Sequence, residues 1–220
     1  DGDIDAVSAS YGAGNILWLE NTGKKSFLSH QIPQSGESFH ARTIYAADVD
    51  SDGDIDIITG GTKELVWFEN NGNEKFSKHL INSQHIEHTQ VTSEDLDGDG
   101  DQDIIVASQG DDSIAWYENN GSQEFTRHYI SLSINAAHDV QVIDVDLDHD
   151  LDIVSASFLD HKITWHENNG AQKFTEHVIT DSAAGTTSVY AIDLDKDGDI
   201  DVLSDAAAID AIIWYENDSS

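Results

Sequence analysis

The chain has 220 residues, with 43 acidic against 10 basic side chains, a formal charge of −33 and neither Cys nor Met. Without cysteine there are no disulfides, zinc–thiolate centres or thiol catalysis, and phosphate repulsion rules out nucleic acid as a partner. No apolar run approaches the ~20 residues of a membrane helix, so no membrane insertion is expected, yet 38% hydrophobic residues suffice for a core.

The chain opens inside a repeated phrase, without an initiator Met or a signal-peptide pattern, and is expected to be a piece of a longer protein. Residues 1–5 (DGDID) are the tail of a phrase that recurs whole at 48–56 (DVDSDGDID), 95–103 (DLDGDGDQD), 144–152 (DVDLDHDLD) and 193–201 (DLDKDGDID). Trp18, Trp67, Trp116, Trp165 and Trp214 stand 49 residues apart, and Phe27, Phe76, Phe125 and Phe174 keep the same interval.

Each unit predicts four short strands. One precedes the Asp phrase (42–48, 139–144), one follows it (103–109, 152–158), one carries the Trp, and one opens at Phe-x-x-His. All are rich in β-branched and aromatic residues and bounded by Gly, Asn and Asp. Asn-Asn-Gly after the third strand signals a tight turn. Units of this length and strand number predict an all-β fold, a β-propeller of four-stranded antiparallel blades. One domain, 1–220, divides into repeats at about 1–39, 40–87, 88–136, 137–185 and 186–220. The first unit lacks its first strand and the last its fourth, so the five blades are read as cut from a larger ring, or as closed imperfectly or by another chain.

The Asp phrase has the composition of a loop wrapped around a hard cation. Alternate carboxylates turn inward, Gly at position 6 permits the bend, and position 7 lends its carbonyl. The candidate ligand sets are Asp48, Asp50, Asp52, Asp54 and Asp56; Asp95, Asp97, Asp99, Asp101 and Asp103; Asp144, Asp146, Asp148, Asp150 and Asp152; Asp193, Asp195, Asp197, Asp199 and Asp201; and the partial set Asp1, Asp3 and Asp5. Four to five Ca²⁺ ions are expected, in preference to Mg²⁺, which keeps its waters. An EF-hand would need Glu at position 12, where Thr59, Val106, Ser155 and Ser204 stand, and helical flanks. His149 replaces the bend glycine, and the first set is truncated, which makes these the two weaker sites.

These phrases, with W-Y-E-N-N-G and F-T-x-H-x-I following, resemble the FG-GAP/VCBS repeat family of calcium-binding β-propellers, which includes the integrin α-subunit head. The resemblance implies an extracellular protein, secreted or at the cell surface, whose calcium loops join strands 1 and 2 of each blade. It also implies a role in adhesion or in recognition of a glycan or protein, or as a companion of polysaccharide-acting enzymes.

Residues present in every unit are read as architecture: the Trp as packing between blades, Glu20, Glu69, Glu118, Glu167 and Glu216 as acceptors for a neighbouring strand, and His30, His79, His128 and His177 as structural. What varies lies in the 2-to-3 loops and the links between units, at the end of the blades opposite the metal loops. Tyr11, His40, Arg42, His85, His88, His138 and His161 are the candidate ligand face there. A recognition module is the leading reading. A lyase or dehydratase domain using the off-repeat histidines, and a structural unit capable of self-assembly, are the alternatives.

Overall fold

The computed structural model describes residues 2–23, 25–33, 40–84 and 86–218. They form eighteen strands in five antiparallel meanders. The first sheet is β1 (Ala6–Ser10), β2 (Asn15–Asn21) and β3 (Phe27–Gln31); the second is β4 (Ala41–Ala47), β5 (Asp56–Gly61), β6 (Leu65–Asn70) and β7 (Phe76–Asn82). The third is β8 (His88–Glu94), β9 (Asp103–Ser108), β10 (Ser113–Asn119) and β11 (Phe125–Ser131), and the fourth β12 (Ala137–Ile143), β13 (Asp152–Ser157), β14 (Lys162–Asn168) and β15 (Phe174–Thr180). The fifth is β16 (Val189–Ile192), β17 (Asp201–Ala206) and β18 (Ala211–Tyr215), with a 3₁₀ turn at Ala207–Ile209 between the last two. Among the described residues the sheets stay separate, none closing on another by strand pairing, and no helix is long and apolar enough to cross a membrane.

Burial follows strand position. β5, β9 and β13 are buried along their whole length, because a neighbouring sheet covers each face; their near-continuous apolar sequences fit that environment. β11 and β15 are largely solvated, with only part of their residues tucked in. Four apolar clusters fill the four spaces between consecutive sheets. Trp67 packs with Ile58, Val91, Ile104 and Tyr117 between the second and third sheets, and Trp116 with Ile105, Val140 and Ile153 between the third and fourth. The repeated Trp is thus inter-sheet packing.

First strands of neighbouring sheets run side by side, and side chains join them where no backbone ladder does. Thr43 Oγ1 donates to Gln90 and accepts from the Val91 N–H; Thr89 Oγ1 donates to the Ala137 carbonyl. The Gln141 amide pairs with both the N–H and the carbonyl of Ala191, imitating a strand.

The third and fourth strands share one register in four sheets: Trp opposite His, Asn opposite Phe. Each His ring lies on its Trp, with centroids 4.5–4.8 Å apart. Its Nε2 hydrogen-bonds the Glu two residues beyond that Trp, at 2.6–2.8 Å. At the adjoining turn Gly72, Gly121 and Gly170 have φ of +72° to +73°. A Cβ there would lie 2.4–2.6 Å from Oδ2 of Asp54, Asp101 and Asp150, so the turn and the seventh residue of the Asp-rich loop sit against one another at the same end of the sheet.

Trp67 is 3% exposed and Trp214, on the last strand, 44%. Trp67→Ala is therefore expected to cost about 3–5 kcal/mol in urea unfolding, and Trp214→Ala about 1 kcal/mol or less.

Candidate metal centres

Each full loop folds around its first aspartate. In the second unit the Asp52 N–H donates to Oδ1 of Asp48 and Asp50, the Gly53 N–H to Asp48 Oδ2, and the Asp54 N–H to Asp52 Oδ1, at 2.8–3.3 Å. Two residues per loop take left-handed backbone. The sixth does so at Gly53, Gly100, His149 and Gly198, and the fourth at Ser51, Gly98, Leu147 and Lys196. Sequence reasoning found the sixth but not the fourth, where four different residue types hide the constraint. His149 tolerates φ +80°, and its N–H still reaches Asp144 Oδ2 at 3.0 Å, as Gly53 reaches Asp48. The fourth loop keeps its shape, with the imidazole turned to solvent.

Carboxylate oxygens converge to within 4.8 Å of one another in four groups: Asp48, Asp50 and Asp56; Asp95, Asp97 and Asp99; Asp144, Asp146 and Asp152; and Asp193, Asp195 and Asp197. Asp54, Asp101 and Asp150 stand outside them, against the turn glycines. Asp1 lies outside the described residues; Asp3 meets the turn at Gly23 and Asp5 bonds Trp18 and Asn21, so no such group of three forms at the first phrase among the described residues.

The ninth aspartate opens the second strand and is buried in the four full loops. Asp56, Asp103, Asp152 and Asp201 each accept the N–H of the loop's second residue (Val49, Leu96, Val145, Leu194) at 3.0–3.1 Å. Each also accepts the N–H of the Asn that ends the Trp strand (Asn70, Asn119, Asn168, Asn217) at 2.7–2.9 Å. Even so, burial outweighs these bonds, pushing Asp56 up to about 7 and Asp103 to about 6, with Asp152 also raised. Burial and neighbouring carboxylates likewise raise Asp50, Asp97 and Asp146. Asp95 Oδ1 is buried with no hydrogen-bond partner among the described residues. Converging all-oxygen donors, carboxyls held above their usual pKa and an unsatisfied buried oxygen fit a hard divalent cation.

On the opposite end, three of the predicted ligand-face residues meet. His40 Nδ1 lies 2.9 Å from the Tyr11 carbonyl, the His40 and Tyr11 rings are 5.5 Å apart, and the Arg42 guanidinium sits 4.9 Å over the Tyr11 ring while ion-pairing with Glu87. His138 and His161 tie sheets to links, His138 Nδ1 at the Thr187 carbonyl and His161 Nδ1 accepting from the Gly185 N–H. His88, expected at the surface, is fully buried: it hydrogen-bonds the Ser108 hydroxyl at 2.9 Å, and burial lowers it to about 4. A bulge in β8 between His88 and Gln90, which sets His88 opposite Ser108, turns it inward. His85 lies outside the described residues. A further non-repeating cluster went unforeseen. Arg127 bonds Asp111 at 2.7 Å and Gln84 at 3.0 Å, and lies 4.3 Å over the Tyr129 ring; its one signal was that this strand position reads Ser29, Lys78, Arg127 and Glu176 across the units.

The FG-GAP-like repeat profile matches residues 1–59, 95–155 and 144–204. The chain belongs to the FG-GAP-like repeat family. No curated protein matches it. Among solved structures it is similar to an Agrocybe aegerita lectin specific for non-reducing terminal N-acetylglucosamine, at 20% identity and a TM-score of 0.62, over 91% of this chain and 60% of that one. It is also similar to an auxiliary nutrient-binding protein of Bacteroides thetaiotaomicron (6%, TM-score 0.57, 96% and 58%) and to the NanB sialidase of Streptococcus pneumoniae (13%, TM-score 0.57, 91% and 34%). The chain spans about 60% or less of the length of these proteins, and at such identities the likeness is one of propeller-like fold.

The raised carboxyls bind protons more tightly in the folded chain than in the unfolded one. For Asp103 and Asp56 that contribution is therefore complete below about pH 4 and lost as pH rises through about 6 and 7 respectively. Neutral buried His88 and His166, both lowered to about 4, act in the opposite sense below pH ~6.5 but are outnumbered. In chelator the melting temperature is expected to fall between pH 5 and pH 8, and millimolar calcium is expected to abolish that fall, as differential scanning calorimetry would register.

Proposed function

We propose that this protein is an extracellular recognition module, stabilised by four calcium ions, that binds a glycan or a protein through the end of its sheets opposite the metal loops. The observation that carries the reading is a division of labour. The repeated carboxylates gather in four oxygen clusters at one end, whereas the non-repeating Tyr11, His40 and Arg42 meet at the other. A half-exposed aromatic ring beside a guanidinium and a carboxylate suits a sugar, whose C–H face stacks while its hydroxyls take up the polar groups. Lectin and nutrient-binding neighbours of like fold support that choice. Calcium acts at a distance, holding the sheets that present the loops; it needs no contact with the ligand. Extracellular calcium is abundant enough to fill sites of moderate affinity.

Screening the calcium-loaded chain on glycan and extracellular-protein arrays tests this. A ligand is expected whose affinity falls at least about tenfold, equivalent to ~1.4 kcal/mol, in Tyr11→Ala and Arg42→Ala at unchanged melting temperature, and which is lost in chelator. Absence of any ligand, or a ligand indifferent to both substitutions, refutes the reading.

A further inference from the structure

The turn between the third and fourth strands is built one way in the first three sheets and another way in the fourth. It opens on the Asn that ends the Trp strand, and two residues on stands a Gly. In the first sheet the Gly23 N–H donates to Asn21 Oδ1 at 3.1 Å; in the second and third the Gly72 and Gly121 N–H groups donate to Asn70 and Asn119 Oδ1 at 3.2 Å. In the fourth sheet Asn168 Oδ1 is buried with no hydrogen-bond partner among the described residues. It therefore does not take up the Gly170 N–H, and Gly170 is itself exposed. A buried acceptor left open is uncommon. Here it marks a main-chain N–H released from the partner that its counterparts keep.

Between that Asn and Gly the second, third and fourth sheets carry another asparagine: Asn71, Asn120 and Asn169, all exposed. An Asn-Gly pair closes on itself when the Gly main-chain nitrogen attacks the side-chain amide carbon, and glycine has no Cβ to obstruct the approach. Two things speed such an intramolecular step: a nucleophile free to give up its proton, and donors aimed at the oxygen where charge collects. Asn169 has both. Its Oδ1 accepts the Ala171 N–H at 3.1 Å and the Lys173 N–H at 3.3 Å. Asn120 Oδ1 also has two such donors, Ser122 and Glu124, but the Gly121 N–H is held and the amide nitrogen that would have to leave donates to the Glu124 carboxylate. Asn71 Oδ1 accepts from Asn73, and the Gly72 N–H is held as well.

We propose that Asn169 is a site of spontaneous modification, an amide that the turn of the fourth sheet converts to a carboxylate. The Gly170 nitrogen bonds to Asn169 Cγ, and the bond from Cγ to the side-chain nitrogen breaks. That nitrogen leaves as ammonia, taking up the equivalent of the proton that Gly170 gave to water, and a cyclic imide remains. Water then adds to one of the two imide carbonyls, giving aspartate or its isomer linked through the side-chain carboxyl; nothing is oxidised or reduced. Either product places a new negative charge at a turn that abuts Asp150, and the isomer also lengthens the main chain there. Among the three Asn-Asn-Gly turns, the one in the fourth sheet is where this polyanion ages first.

The test is to hold the 220-residue chain in calcium at mildly alkaline pH and follow each Asn-Gly pair by peptide mass mapping. Conversion at Asn169 is expected to run at least about tenfold faster than at Asn71 or Asn120, the factor that roughly one hydrogen bond's free energy makes. Hydroxylamine, which opens the imide, is expected to cut first between residues 169 and 170. In denaturant the three sites keep only their shared Asn-Asn-Gly sequence, and their rates are expected to draw level. Conversion of Asn71 or Asn120 as fast as Asn169 in the folded chain, an Asn169 that stays intact when folded but reacts in denaturant, or the same preference surviving in denaturant overturns the proposal.

Discussion

A buried carboxylate that accepts main-chain N–H groups from two separate segments is the interaction on which each sheet depends. The ninth aspartate of every full loop draws the loop's second residue and the end of the Trp strand onto one side chain. Hydrogen bonds to a charged acceptor contribute about 1.5–3 kcal/mol each. Taking the carboxylate out of water costs several kcal/mol. Burial holds the carboxyls of Asp56, Asp103 and Asp152 above the usual carboxylate range, so desolvation outweighs the hydrogen bonds. A divalent ion held among the neighbouring carboxylates would reverse the balance and would offset repulsion among the acids that crowd each loop. Loop, turn and Trp strand are thereby one unit: the seventh aspartate abuts the turn glycine and the ninth holds the asparagine.

From that end of the sheet the rest of the architecture follows. The Trp lies between neighbouring sheets, the His covers its outer edge, and the Glu fixes the His. Each sheet then meets the next through the same apolar cluster, and the inner strands are joined by side chains in place of a ladder. Such a design leaves the opposite loops free of architectural duty, which is where non-repeating chemistry can accumulate. The polar groups found there belong to particular sheets: Tyr11 with His40 and Arg42 at the first two, Arg127 with Asp111 and Gln84 at the third.

Repetition made much of this legible in the sequence. Five equally spaced Trp residues and four complete Asp phrases give the strand number, the 3-4-4-4-3 arrangement of strands and the loop that gathers carboxylates, because a constraint imposed five times averages out local noise. The features that occur once were hidden. His88 reads as a loop histidine, yet its place at the start of β8 turns it into the interior beside Ser108. Arg127 stands at a strand position whose identity changes in every unit, and only three-dimensional proximity to Asp111 and Tyr129 reveals its cluster. The left-handed fourth loop residue escaped notice because Ser51, Leu147 and Lys196 are not residues that advertise positive φ. Conversely, the sequence places Tyr11, His40 and Arg42 on one candidate face with four other residues, but that these three touch is a fact of packing that spacing alone does not contain.

Hydrogen exchange at the Asn70, Asn119 and Asn168 amides, with calcium and in chelator, reads the coupling between cation and sheet most directly, since these N–H groups donate to the ninth aspartates. Calcium is predicted to slow exchange at all three by at least about tenfold, equivalent to ~1.4 kcal/mol. Equal rates in the two conditions, with calcium shown to be bound, would contradict the account.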